Sequence, residues 1–402
     1  MAEVTIAALS EAGALTFGDG YRTKRSEHGR PGYRILRVAD VADGRVDLDG
    51  PDFVSDEYQR AIGSKLSQAG DVLLTTKGTV GRVAIFPADV EQVVYSPQLC
   101  FFRVTDTSTI HPRFLAYWFK SEAFVRQASH RANNTDMAAY INLGDIASLS
   151  LDLPGSSEQQ AIAEVLGALD DKIAANTETT ELLLGLADAR FAKAVAGSIP
   201  GPLTFGEVAD IGGGGTPRTT VDEYWGGAVQ WATPTDVTAL GAPYLAGTSR
   251  TITEEGLAAC SSALYPVGSI LMTSRATIGA FAVAKVPTAV NQGFIVVNAK
   301  NSAHQWWLFH EMKSRVPEFL SFANGATFLE LPRGRFKGLN VRLASGDAMS
   351  EFGRVVGPLH EAAADFVSES QRLARTRDEL LPLLMSGKIR VKDAEKTLEG
   401  VL

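Results

Sequence analysis

Residues 158–196 read EQQAIAEVLGALDDKIAANTETTELLLGLADARFAKAVA, a run without a proline. Apolar or small side chains recur every three or four positions: Ile162, Leu166, Leu169 and Ile173, then the polar Asn176 and Thr180. Leu183 and Ala187 follow, with Arg190 and Ala194 closing the series. Adding 190 to each position gives Phe352, Val356, Leu359, Ala363, Phe366, Ser370, Leu373, Arg377, Leu380 and Leu384. Such spacing over more than four heptads is the pattern of a coiled coil. A helix of roughly 38 residues is roughly 57 Å long, and its apolar stripe needs a partner. The other helix fits best, in antiparallel pairing; two separate amphipathic helices, each packed on its own domain, are the alternative. Ser156 or Ser157, with Gln159 or Gln160 three residues on, supplies a capping box. Pro358 is expected to kink or delay the second helix, because it removes a backbone donor.

Each long helix follows a copy of one globular pattern. GDVLLTTKGTVGRVA (70–84) matches GSILMTSRATIGAFA (268–282) at an offset of 198. SPQLCFF (96–102) then resembles VNQGFIV (290–296), with Gln98 against Gln292, and INLGDIASLSLDL (141–153) meets LPRGRFKGLNVRL (331–343). Three blocks in the same order argue for duplication rather than chance likeness of apolar strands. VLLTT and VAIF read as a hairpin around a KGTVGR turn, and ILMTS and AFAVA repeat it. WWLFHEMKSRVPEFLSF (306–322) reads as one helix, matching FLAYWFKSEAFVRQAS (114–129). The fold class is therefore α+β: two similar, mixed but mostly β domains separated by an antiparallel coiled coil, with a pseudo-twofold internal repeat. The boundaries fall at 1–154 for the first domain, 155–197 for the central long helix and 198–345 for the second domain. The C-terminal long helix takes 346–390, and 391–402 is a tail.

With 45% hydrophobic and 21% charged residues among 402, the composition is that of a globular protein. The net charge of −8 argues weakly against nucleic acid, but steering depends on the local field rather than the sum. Cys100 and Cys260 lie far apart with no metal-ligand spacing and read as small apolar residues in a reducing compartment. Glu3 stands where a signal peptide needs positive charge, and no apolar run is long enough to span a membrane, so the expected location is the cytoplasm. GGGG (212–215) lacks the Gly-Lys-Ser/Thr of a phosphate loop and reads as a structural entry loop. A nuclease pattern from Asp52 and Glu311-x-Lys313 would straddle the two copies, and the histidines show no ligand pairing. No catalytic residue and no metal site is expected.

Two clusters stand out against the acidic whole. YRTKRSEHGRPGYRILR (21–37) carries Arg22, Lys24, Arg25, Arg30, Arg34 and Arg37 against Glu27 alone. LPRGRFKGLNVR (331–342) carries Arg333, Arg335, Lys337 and Arg342 with no acid. Such clusters suit phosphate contact and guanine readout, although a solvated face explains any single run equally well. Lys77 and Arg275 occupy equivalent hairpin turns flanked by threonines, a place for a backbone-positioning contact. Gln98 and Gln292 suit adenine, with buried structural glutamine as the alternative. Asn133, Asn134 and Thr135 lie in a polar loop before the INLGDI strand, matched by Asn324 and Thr327.

The arrangement resembles the DNA-specificity subunit of type I restriction–modification systems. The resemblance rests on GGGTPRTTVDEYWGGAVQWATPTDV (213–237), the GDVLLTTKGTVGR hairpin, residues 153–191 and LLPLLMSGKIRVKDAE (380–395). It implies two target-recognition domains, each reading one half of a bipartite site in double-stranded DNA, and paired helices that fix the spacer. Arg218, in the Gly-Gly-Thr-Pro opening, joins the candidate DNA contacts. The resemblance also implies that the chain does no chemistry and holds no cofactor. Two modification subunits methylate adenine with S-adenosylmethionine, and restriction subunits translocate and cleave DNA with ATP and magnesium. The alternatives are a recognition subunit for another defence or modification enzyme, and a coiled-coil scaffold with no DNA role.

Overall fold

The computed structural model describes residues 2–131, 140–325 and 329–398. The chain forms two compact units, Met1–Ala174 with Gln371–Leu402, and Ala175–Ser370. In the first unit, Val72–Thr75 and Val83–Ile85 form the expected antiparallel hairpin, Val72 opposite Ile85 and Leu74 opposite Val83. Leu99–Val104 pairs with Val72–Thr75 on one side and with Leu15–Asp19 on the other, completing a four-stranded sheet. Successive side chains of a strand point to opposite faces. Val72, Leu74, Cys100 and Phe102 accordingly pack against Trp118, Phe119 and Phe124, while Leu73 and Phe101 pack against Leu36 and Tyr95. Both faces are covered, which is why this strand reads as a continuous apolar run. A second sheet places Gly32–Leu36 between Phe53–Ser55 and Val93–Tyr95, the latter in parallel.

The second unit repeats this plan. Ile270–Thr273 lies between Phe281–Ala284 and Phe294–Ala299, with Ala209–Gly212 beyond and Tyr244–Leu245 added at the far edge. Its smaller sheet centres on Trp225–Ala232 and again holds one parallel neighbour, Thr288–Val290. Duplication is thus visible in the strand order of both sheets and in the parallel pair of the smaller one.

The long helices span Ser156–Ala194 and Gly346–Met385, and the pairing is antiparallel within each unit. In the first, Ile162, Leu166 and Leu169 share a core with Leu373, Leu380 and Leu384, and Arg377 Nη1 donates to Asp170 Oδ1 at 2.6 Å. In the second, Ala187, Phe191 and Val195 pack with Met349, Phe352 and Val356, and Asn176 Nδ2 donates to Glu369 Oε2 at 2.7 Å. Asn176 and Thr180 are buried in the seam, whereas Ile173, Leu183, Leu359 and Phe366 are only half-buried.

Four local expectations are corrected. Arg190 and Ala194 are exposed, and Phe191 and Val195 turn inward instead; a helix with 3.6 residues per turn drifts away from a strict 3.5 repeat. The second helix runs unbroken through Pro358, whose exposure leaves the freed Arg354 carbonyl open to water. Gln159 does not cap its helix: its buried amide donates to the Thr109 and Pro154 carbonyls and accepts from the His111 N–H. Val391–Leu398, expected as a tail, is helical, with Ala394 buried in the leucine cluster of the first unit.

The peripheral helices differ as well. Residues 306–322 make two helices, Gln305–Ser314 and Val316–Ser321, with Pro317 in the first turn of the second. The first copy breaks likewise, into Pro112–Trp118 and Glu122–Arg131. The INLGDI segment is mostly the short helix Leu143–Ala147, capped by Asn142 on the Asp145 N–H, and the strand begins at Ser150.

Candidate nucleic-acid interface

The first unit carries an open cleft of about 930 Å³ between the hairpin turn, the Ser96–Gln98 turn, the second sheet and the chain leaving the first strand. Four cations line it, Arg22, Arg37, Lys77 and Arg82, together with His28, and no carboxylate does among the described residues. Local structure makes this shape. Gly20 lets the chain cross the Ser96 turn, since a Cβ there would lie 2.1 Å from the Tyr95 carbonyl oxygen. Tyr95 is held from below: its hydroxyl donates to Asp71 Oδ2 at 2.8 Å, and Arg103 donates to both oxygens of the same carboxylate. Burial, with the Asp71 charge beside it, raises the Tyr95 phenol far above its ordinary value.

The clustered basic residues divide by role. Arg22, Lys24, Arg25 and Arg30 are exposed, and Arg22 reaches the cleft. Arg30 covers the Phe53 ring at 3.7 Å, and Arg34 does so at 4.7 Å while donating to the Gly50 carbonyl. Arg37 pairs with Asp52 at 2.5 Å. Half of the run therefore braces the second sheet. Arg82, Thr23 and Ser96 were not singled out from sequence; Arg82 closes the KGTVGR turn, so its place there was the available signal.

The equivalence of Lys77 and Arg275 is structural. Each forms an isolated antiparallel bridge with a residue three positions ahead of the following short helix, Tyr140 and Glu330 respectively. Their electrostatics differ. Lys77 lies 5.7 Å from the Tyr140 ring centre, whereas Arg275 Nη2 is ion-paired to Glu330 at 2.9 Å. The hydroxyls of Thr75 and Thr273 staple their own turns by accepting from the Arg82 and Ala280 N–H groups. Thr79 and Thr277 stay exposed.

In the second unit the glycine run is an entry loop, as expected. A Cβ on Gly214 would lie 1.8 Å from the Val290 carbonyl oxygen, the counterpart of Gly20. Tyr265 locks Gly213 by a pair of hydrogen bonds, and burial raises its phenol. Arg218, Asn324, Arg333 and Arg335 are exposed. Arg335 lies over Phe322 at 4.5 Å. Asn324 exchanges backbone bonds with Glu330, which brings it beside Arg275. Arg342, by contrast, is a brace: its Nε donates to Glu311 Oε2 at 2.8 Å, and Arg315 shares that fully buried carboxylate. Asn133, Asn134, Thr135 and Thr327 lie outside the described residues.

The match of Gln98 with Gln292 is off by one. The Thr76 N–H donates to the Gln98 carbonyl, and the equivalent Ser274 N–H donates to that of Gly293. Both turns have three residues, 96–98 and 291–293, so Gln292 stands at the position of Pro97, a shift that side-chain similarity concealed. Both glutamines are exposed rather than buried.

Comparison with known proteins agrees with this duplicated plan. The family model described as type I restriction modification DNA specificity domain matches residues 16–184 and 202–345. A curated relative, the type I restriction enzyme MjaIX specificity subunit of Methanocaldococcus jannaschii, is 34% identical over 42% of this chain and 40% of its own length. The putative MjaX specificity subunit of the same organism is 22% identical over 92% of this chain and 90% of its own. Among solved structures, the S subunit of a type I restriction-modification system from M. genitalium shares the fold, with a TM-score of 0.59, 15% identity and 95% of each chain covered. With two copies of its domain spanning most of the sequence, this chain belongs to the type I restriction modification DNA specificity family.

Proposed function

We propose that the chain is the DNA-reading specificity subunit of a type I restriction–modification complex, each repeated domain recognising one half of a bipartite site. The observation that carries this is the pairing of a twofold family match with a cleft in the first copy that cations, and no carboxylate among the described residues, line. Phosphate contacts supply affinity and register, and a few side chains read base edges. The paired long helices set the gap between the two halves. The chain itself is non-catalytic. Methylation with S-adenosylmethionine belongs to two modification subunits, and ATP- and magnesium-dependent translocation and cleavage to restriction subunits, all in the cytoplasm. Joining two weak half-site readers raises their effective concentration on one DNA molecule. The test is a mobility shift of the chain assembled with its methyltransferase partner on double-stranded DNA over a salt series. Binding that weakens steeply with salt is expected; no shift at any salt concentration would refute the reading and favour a scaffold.

A further inference from the structure

Within this reading, we infer that Gln98 is a base-reading residue of the first domain and that it contacts an adenine. Its backbone is fixed, because its carbonyl accepts from both the N–H of Thr76 at 2.9 Å and the hydroxyl of Thr76 at 3.0 Å. Its side chain is exposed on the cleft wall, and its amide makes no hydrogen bond among the described residues. A fixed Cα carrying a free amide is the preorganised form of a side chain that offers a donor and an acceptor side by side. Adenine presents the complementary pair, N7 and the N6 amino group, in the major groove.

The surroundings show that the cleft is built for a polar occupant. Two hydroxyls of its wall, Thr23 Oγ1 and Ser96 Oγ, are buried and have no partner among the described residues. Ser96 itself is 5% exposed. A buried hydroxyl left alone loses its bonds to water with nothing in return, so native structures supply a partner. Lys77, Arg22 and Arg82 line the same cleft but can only donate, so they suit phosphate or guanine and leave adenine, whose N6 needs an acceptor, to Gln98.

The second domain does not mirror this arrangement. The residue at the backbone position of Gln98 is Gly293, which has no side chain to read with. The nearby Gln292 is tethered instead, its Oε1 accepting the Thr216 hydroxyl at 2.7 Å, which uses one of that oxygen's two lone pairs and fixes the amide away from the position of Gln98. Gln98 therefore adds a letter to one half-site only.

The inference rests on the proposed function, and one experiment separates the two. The full complex with its methyltransferase subunits is expressed in cells, and the methylated motif is determined for wild type, Gln98→Ala and Lys77→Ala. Wild type is expected to give a bipartite motif. Gln98→Ala is expected to relax one A·T position in one half, with discrimination there falling about 10-fold or more. Lys77→Ala is expected to lower methylation at every site without changing the motif. A wild type that gives no bipartite motif overturns the proposed function itself. A bipartite wild-type motif unchanged in Gln98→Ala, altered in both halves, or relaxed at a G·C position overturns the assignment of Gln98 alone. The exposed amide carries no folding contact, so equal melting temperatures of variant and wild type check that the fold is intact.

Discussion

Lowering the pH from about 7.5 to about 5.0 is expected to weaken the second unit through a buried histidine pair. His310 and His360 are each 1% exposed, with their Nε2 atoms 3.0 Å apart. His310 Nδ1 contacts Asp188 Oδ1 at 2.9 Å, and His360 Nδ1 contacts the Tyr244 hydroxyl at 2.8 Å. One arrangement satisfies every atom with both rings neutral. Tyr244 donates to His360, His360 donates to His310, and His310 donates to Asp188. A further proton would have to sit on His360 Nδ1, placing a positive charge in the buried pair and turning the Tyr244 hydroxyl away from it. Burial, with His310 and Lys313 close by, pushes His360 down to about 3, and burial lowers His310 as well. Asp188 falls to about 2, because the bonds from His310 and Lys313 outweigh its own burial.

The unfolded imidazole titrates near 6.5, so between about 6.5 and about 3 the unfolded chain binds more protons than the native one and stability falls as pH falls. At 1.36 kcal/mol per unit, His360 alone removes about 2 kcal/mol by pH 5.0. The assay is urea unfolding followed by tryptophan fluorescence. Four of the five tryptophans, Trp225, Trp231, Trp306 and Trp307, belong to the second unit, and Trp306 stacks on His360 at 3.8 Å. His360→Phe keeps a ring against Trp306 and is expected to lose about 2 kcal/mol of this pH dependence, whatever its stability at neutral pH. Equal pH dependence in variant and wild type would refute the reasoning.

Other expectations concern single contacts. Glu311→Gln removes the charge between Arg315 and Arg342 and is expected to destabilise the second unit by about 3–5 kcal/mol, measured by the same unfolding assay. Ala276 holds a left-handed φ of 57° where the first copy has Gly78, so Ala276→Gly is expected to stabilise by about 0.5–1 kcal/mol in that assay. Deleting one heptad from each long helix is expected to shorten the spacer of the methylated motif, and an unchanged spacer would show that the helices do not set it.

Much of this architecture is legible in sequence because it rests on short periods. The hairpins announce themselves as apolar strands around glycine turns, and Leu166, Leu169, Leu373 and Leu380 mark the helical seam where the structure buries it. The failures share a cause. Whether Arg34 and Arg37 face DNA or brace a sheet depends on Phe53 and Asp52, about 15 residues or more away in the chain. The helix breaks at Ser121 and Arg315 are not read from apolar periodicity: Pro317 starts a new helix after Arg315, and the Ser121 hydroxyl donates to the Trp118 carbonyl that ends the earlier one. The one-residue difference between Gln98 and Gln292 is visible only in backbone hydrogen bonds, and the histidine chain joins four segments that no linear motif connects.

The most direct measurement is the methylated motif of the assembled complex before and after residues 1–154 are exchanged for the corresponding domain of another family member. If each copy reads its own half, one half of the motif changes while the other half stays. A change in both halves, or in neither, would contradict modular reading by two repeated domains.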